Sequence, residues 1–415
     1  MNLVADPAIN ILTLIESING LDTEQRFGTG LILPIMTDTD AETKKSERNA
    51  WLPFEILGEI FHYVVWVDGP LTLRHIIFVC KLWHTASMHH PQLWTKIFLD
   101  GPFFTYFKDT PISTTCAFLE QCLDRSGSAP LSLRLGFGDL GEFRPSHDFL
   151  LETSIGRFLL LLEIMEQSDR KHIKRCESLI WHCALESDLE AEVLRIFPPQ
   201  LPLLRFLSVS KYEFEFDSHF PHCPSLAEVE LSDHHEQRAF FPDQDFARVK
   251  TLSFSNNGLW MGYDILCIAR FTALENLSLS NGVGGDPEYN QTTFHADEPL
   301  QLPHLRVLTV RGIIPTDILR QLVAPSLLKL LIEDDYKGRA TIEGLHTLIP
   351  PSCRQIHARL SPLVEGENPG WLYDLWSLQK NLPQVNVFYA PKWMQQEMED
   401  LFQGSNFELR VDMKD

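Results

Sequence analysis

Few residues of this chain are spaced for chemistry. Gly136-Phe-Gly-Asp-Leu-Gly141 fits G-x-G-x-x-G and follows an apolar strand. Dinucleotide binding needs a helix to open inside those glycines, so that its first N–H groups meet the pyrophosphate. Here Glu142-Phe-Arg-Pro145 intervenes and the next helical pattern starts near Ser146, so a glycine-rich loop is the simpler reading. His84, His89 and His90 lie close together, as do His234 and His235, and His182–Cys183 and His222–Cys223 are adjacent pairs. Neighbours on a strand point to opposite faces, so neither adjacent pair can ligate one metal, and no second cluster at ligand spacing accompanies them. No G-x-S-x-G elbow, H-E-x-x-H helix or G-K-[ST] loop occurs. Glu333-Asp-Asp335 follows an apolar strand and reads as a solvated acidic loop. The expectation is a protein that is not an enzyme and uses no cofactor or metal.

The elements that carry these residues belong to an ordinary globular chain. It has 415 residues, 44% apolar and 22% charged, enough for a large core. Lys and Arg number 35 against 56 Asp and Glu, a net charge of −21. Such a chain repels nucleic-acid phosphate and anionic lipid, so neither a nucleic acid nor a membrane is expected as partner. The eight cysteines, at 80, 116, 122, 176, 183, 223, 267 and 353, contain no C-x-x-C hook and sit in apolar runs, as small buried hydrophobes do. No signal peptide is read at the N-terminus, and apolar runs such as 158–162 are far short of the ~20 residues that span a bilayer. The expected location is cytoplasmic, nuclear or both.

Three stretches differ in pattern. Residues 1–49 hold one short amphipathic segment, 9–18, then Gly28, Gly30, Pro34 and a polar linker, with a net charge of −4 from eight acidic and four basic residues. Residues 50–100 are dense in apolar and aromatic side chains and nearly neutral. Pro53 suits a helix start. Ile56, Leu57, Ile60, Phe61 and Val64 follow on one helical face. Leu73, Ile76, Ile77 and Cys80 line a second helix. Residues 81–88 continue helically with Trp83 inward, and Leu93, Trp94, Ile97 and Phe98 give a last apolar turn after Pro91. So small a unit cannot bury all of these side chains, and the surplus is expected to face a partner. Docking of that surplus on the third stretch, as an end cap, is the competing reading.

Residues 101–415 carry about −16 and are repetitive. Segments 226–231, 249–254, 274–279, 305–310 and 327–332 share L-x-x-L-x-L with apolar substitutes, and segment 203–209 fits it from Leu204. Their central residues are Leu207, Val229, Leu252, Leu277, Leu308 and Leu330, at intervals of 22, 23, 25, 31 and 22. Weaker members lie at 131–135, 179–181, Ile356 and 385–387. The alternation predicts short strands with irregular or helical returns, such as 264–270 and 316–323, stacked because no single unit can bury its apolar face. Asn257 occupies the position at which such repeats place an Asn.

Leu52-Pro-Phe-Glu-Ile-Leu57 with Ile60-Phe61, then Val79-Cys-Lys-Leu-Trp83, then Pro91-Gln-Leu-Trp94, resembles an F-box in order and spacing. The repeats resemble the degenerate leucine-rich arrays of fungal F-box proteins. The fold this implies is α+β: a three-helix F-box over 50–100, then an irregular leucine-rich-repeat α/β solenoid over 101–415. The function it implies is the substrate-recognition subunit of an SCF-type cullin–RING ubiquitin ligase. By this resemblance Leu52, Pro53, Ile56, Leu57, Ile60 and Phe61 enter the groove of a Skp-type adaptor, through which the cullin is reached. Val79, Cys80, Lys81 and Trp83 support that surface, and Trp94 packs the last turn. The chain departs from the family where Val64-Val-Trp-Val-Asp-Gly-Pro70 delays the second helix. The alternative is a leucine-rich scaffold in a non-ligase adaptor complex. The target protein is not readable, although the acidic balance favours a basic one. Tyr212, Trp260 and Tyr336 are candidate anchors.

Overall fold

In the computed structural model the chain divides into two compact units, Met1–Leu52 and Pro53–Asp415. The structure describes residues 53–137 except 69 and 108, then 158, 160–165, 171–183, 196–210, 221–232, 246–256, 268–281, 299–312, 314, 316–333, 349–359, 387–391, 399 and 408–412. Leu52, the candidate anchors Tyr212, Trp260 and Tyr336, Asn257 and most of the glycine-rich loop lie outside them.

The second unit opens with helices α1 (Phe54–Asp68), α2 (Leu73–Ile77) and α3 (Lys81–His89). A 3-10 turn, Pro91–Trp94, leads into strand β1 (Lys96–Leu99). Ile97 and Phe98 therefore lie on a strand rather than in a last helical turn. The first rung of the sheet is β1, ahead of β2 (Leu131–Phe137), because Ile97 and Leu99 bury against Leu133 and Leu135 in a parallel pairing. Helices α4 (Gly101–Phe107) and α5 (Ile112–Arg125) separate the two strands.

The later strands are β3 (Cys176–Cys183), β4 (Phe206–Ser210), β5 (Glu228–Ser232), β6 (Thr251–Asn256), β7 (Asn276–Asn281), β9 (Val307–Arg311), β11 (Lys329–Glu333), β12 (Gln355–Arg359), β13 (Val387–Pro391) and β14 (Glu408–Asp412). With β1 and β2 they form one twelve-stranded sheet, in chain order and parallel throughout. A chain whose strands pair in sequence order and all run the same way is a solenoid, so the described residues establish a mixed α/β repeat fold.

The register follows the repeat alignment. Leu207, Val229, Leu252, Leu277, Leu308 and Leu330 are successive Cα partners, and the ladder extends to Ile97, Leu133 and Leu179 on one side and Ile356 on the other. Each is buried, and each such side chain contributes ~1.5–3 kcal/mol. The long interval between Leu277 and Leu308 contains β8 (Leu300–Gln301). It pairs with β10 (Leu322–Val323), which directly follows helix α6 (Thr316–Gln321), in a separate two-stranded sheet.

A tight turn precedes the strand in each of seven repeats. The N–H groups of Leu204, Leu226, Val249, Leu274, Leu305, Leu327 and Cys353 donate to the carbonyls of Leu201, Cys223, Phe246, Phe271, Leu302, Ala324 and Pro350, three residues earlier. Six of these seven turns bury both ends of the turn in the core, and five of the seven carry Pro at the second position, where its fixed φ suits the turn. The full unit is thus nine residues long, three more than the L-x-x-L-x-L core. Gly136, the next-to-last residue of β2, is under a spatial constraint unrelated to nucleotides: a Cβ there would sit 2.9 Å from the His182 carbonyl oxygen on β3.

Candidate protein-interaction surface

Pro53 immediately precedes helix α1; its carbonyl accepts the Leu57 N–H at 3.0 Å and its missing N–H costs nothing there. Leu57, Phe61 and Val65, at i, i+4 and i+8, form its buried stripe. They pack with Leu73, Ile76, Ala86, Leu93 and Trp94 in an apolar cluster of their own. The Phe61 and Trp83 rings lie 5.0 Å apart. Gly58 lies inside this helix because His90 crosses it: a Cβ would be 2.5 Å from the imidazole, whose Nε2 is 3.3 Å from the Phe54 carbonyl.

Leu57 is only 2% exposed and Phe61 is as deeply buried, so the groove contact expected of both side chains is corrected. Both side chains complete the fold of the helical unit. Trp94 is also core: its Nε1–H donates to the Ser87 carbonyl at 2.9 Å and the Arg125 guanidinium lies 4.4 Å above its ring. Ile60 and Trp83 are half-buried against the same cluster.

Apolar surface remains exposed elsewhere in this unit. Ile56 and Tyr63, seven residues apart on the outer side of α1, are exposed, Tyr63 by 67%. Phe78 is 70% exposed, and its neighbours Val79 and Cys80 are exposed as well. The chain around Phe78 is also poorly adapted to its own local structure. Cys80 occupies the N-cap of α3 without making a side-chain cap bond, and Lys81 puts an exposed positive charge at the positive end of the helix dipole. Residues that break local rules without a gain in the fold are placed as contact residues are. The structure therefore leaves Pro53, Ile56, Val79, Cys80 and Lys81 of the expected set exposed, and keeps Leu57, Phe61 and Trp94 inside. Sequence reasoning missed Tyr63 and Phe78; the seven-residue step from Ile56 was the available signal for Tyr63.

The helices are joined to the solenoid by packed side chains. Cys122 of α5 belongs to the helical cluster, and Phe118 packs against both that cluster and the solenoid core. Arg74 of α2 donates to the Tyr106 hydroxyl at 2.7 Å and lies over that ring.

The histidine and cysteine groups are dispersed. His182 Nδ1 is hydrogen-bonded to the Ser210 hydroxyl, and burial, then Arg134, lowers the pKa of its imidazole. Among the described residues no group of three His, Cys, Asp or Glu side chains is gathered to hold a metal ion. The six cysteines whose side chains are described are all free. Cys122, Cys176, Cys223 and Cys353 are buried; burial pushes the Cys122 and Cys223 thiols up to about 12 and Cys353 to about 11. No described helix is long and apolar enough to cross a membrane.

No protein-family model matches the chain, and no curated protein matches it. Among solved structures, the leucine-rich repeat-containing protein LegL7 from Legionella pneumophila matches 76% of this chain and 89% of its own, at 14% identity and a TM-score of 0.35. So low a score carries no argument; the solenoid stands on the strand order and register of this chain.

Proposed function

We propose that this chain is the substrate-recognition subunit of an SCF-type cullin–RING ubiquitin ligase, in which the helical unit 53–94 is an F-box that docks on a Skp-type adaptor and the solenoid recruits the target. The observation that carries this reading is the exposed apolar set Ile56, Tyr63, Phe78 and Val79 on a helical unit whose own core is already filled. A small unit with a complete core and surplus apolar surface is built to be covered. Each exposed Ile or Phe that becomes buried can contribute ~1.5–3 kcal/mol before association costs. The chain does no covalent chemistry in this reading. It raises the effective concentration of a target beside a ubiquitin-loaded conjugating enzyme.

The test is co-purification with a Skp-type adaptor and cullin. An Ile56→Asp/Phe78→Asp variant changes only exposed positions, so it should stay folded, and we expect it to lose the adaptor. Failure of the unaltered chain to hold the adaptor overturns the proposal. Capture of the adaptor without the cullin moves the function to a non-ligase scaffold.

A further inference from the structure

The seven nine-residue units, beginning at 201, 223, 246, 271, 302, 324 and 350, contain six Lys or Arg residues against three Glu, a net of +3. The remainder of the chain must then carry −24 to give −21 overall. The cations are concentrated at the leading edge of the sheet, where each turn enters its strand. There Glu177, Arg205, Ala227, Lys250, Glu275, Arg306, Leu328 and Arg354 form a continuous ladder. From Arg205 to Arg354, each backbone N–H donates to the preceding member's carbonyl at 2.8–3.1 Å.

Arg205, Lys250, Arg306 and Arg354 occupy alternate rungs of this ladder, and all four are exposed. Arg248 is exposed in the same turn row and donates to the Pro224 carbonyl. Leu203 and Leu328, two of the exposed large apolar residues of the chain, lie at this edge as well. Two acids interrupt it. Glu177 is 3.7 Å from Arg205, and Glu275 is 2.9 Å from Lys250. The Lys250 bond and charge, together with Arg306, hold the Glu275 carboxyl below its usual range. Among the described residues named at this edge, five are cations and two are anions.

From this spacing we infer that the leading edge is a docking surface for an acidic protein segment in polyproline II conformation with a carboxylate at every third residue. Rungs of a sheet are about 4.8 Å apart, so alternate rungs are separated by about 9.6 Å. A polyproline II helix repeats every three residues, about 9.3 Å, and returns its side chain to the same face. Four carboxylates so spaced meet Arg205, Lys250, Arg306 and Arg354 in turn. Glu275, between two of the cations, repels a continuous phosphate backbone more than a segment whose charges are interrupted, and the strongly acidic remainder of the chain repels a polyanion at long range. A protein segment is therefore favoured over a nucleic acid. This inference rests on the reading of the solenoid as the target-holding part and reverses the expectation of a basic target drawn from overall charge.

The experiment uses the full chain and two labelled peptides of one composition: four Glu-Pro-Pro repeats, and an isomer with its four Glu adjacent. Fluorescence anisotropy at low salt should show the repeat peptide binding about tenfold more tightly than the isomer. Glu275→Gln should tighten binding, since it removes a competing anion from between two of the cations. Arg306→Glu/Arg354→Glu should abolish it while leaving adaptor capture intact. Equal binding of the two peptides, no gain from Glu275→Gln, or tighter binding of oligothymidylate overturns the inference. Peptide binding by a chain that fails to capture the adaptor leaves this inference standing and removes the ligase reading.

Discussion

The solenoid and the helical unit bury the same kinds of side chain by different means. In the solenoid seven described rungs repeat one device: a tight turn, then a strand whose alternate residues point into the core. Each unit needs only its two neighbours, so stability is built by addition along the chain. The helical unit has no repeat. Its core depends on Trp94, Phe61 and Trp83 meeting from three separate segments, and on α5 closing the far side. The lesson is that one substitution in the helical unit tests a whole assembly, whereas one in the solenoid tests a rung.

Trp94 gives the largest expected effect. It is fully buried, bonded to Ser87 and covered by Arg125, so it holds the helices to α5. Trp94→Ala should cost ~3–5 kcal/mol. Hydrogen exchange should then accelerate across α1–α3 while β5–β9 keep their protection. Leu277→Ala, at the middle of the ladder, should cost ~2–5 kcal/mol and accelerate exchange in β6, β7 and β9 instead. Uniform loss of protection across both regions in either variant would show that the two are one cooperative unit.

The same contrast explains what could be read from sequence. The positions Leu207 to Leu330 were legible as partners because a repeat puts each residue's contact one period away, where the pattern itself announces it. The strand β1 was not, since Lys96-Ile-Phe-Leu99 is four residues long and follows a helical stretch, with no repeat before it to set a phase. In the candidate site the helices were legible, but which apolar residues face outward was not. Leu57 and Ile56 are neighbours of similar hydrophobicity. Only the arrival of Trp83, Leu93 and Trp94 from distant segments decides that Leu57 is covered and Ile56 is left out. The charged leading edge was hidden for a third reason: its members are 22 to 31 residues apart, and their common ladder exists only once the register is known.

A smaller effect separates packing from propensity within α1. Glycine inside a helix costs ~0.5–1 kcal/mol relative to alanine, so Gly58→Ala should stabilise a free helix. Here the new methyl meets the His90 ring at 2.5 Å, and Gly58→Ala should instead destabilise by ~1–3 kcal/mol. In the His90→Ala background the obstruction is gone, and the same substitution should stabilise. Denaturant midpoints for the four proteins of this cycle check the change of sign. Destabilisation in both backgrounds would mean that the glycine serves something other than the approach of His90.

The smallest effect lies where the two regions meet, at Lys96 on the first strand. Burial, and then the charge of Arg134, pull its pKa down to about 8. The charged form is thus disfavoured by folding, and the unfolded chain binds the proton more tightly. Stability rises with pH wherever the unfolded state holds more protons, so the cost of Lys96 is present at neutral pH and is relieved from about pH 8 toward the ordinary lysine range near 10.5. Lys96→Met removes that cost without removing the aliphatic stem that packs at the strand start. The variant should be more stable than the parent at pH 7, and the difference should shrink as pH is raised to 9. Using the difference cancels the buried thiols, which titrate in the same direction in both proteins. A difference that stays constant over that range would place the Lys96 ammonium in water, and a difference of opposite sign would mean that it is held by an anion strong enough to outweigh both its burial and Arg134.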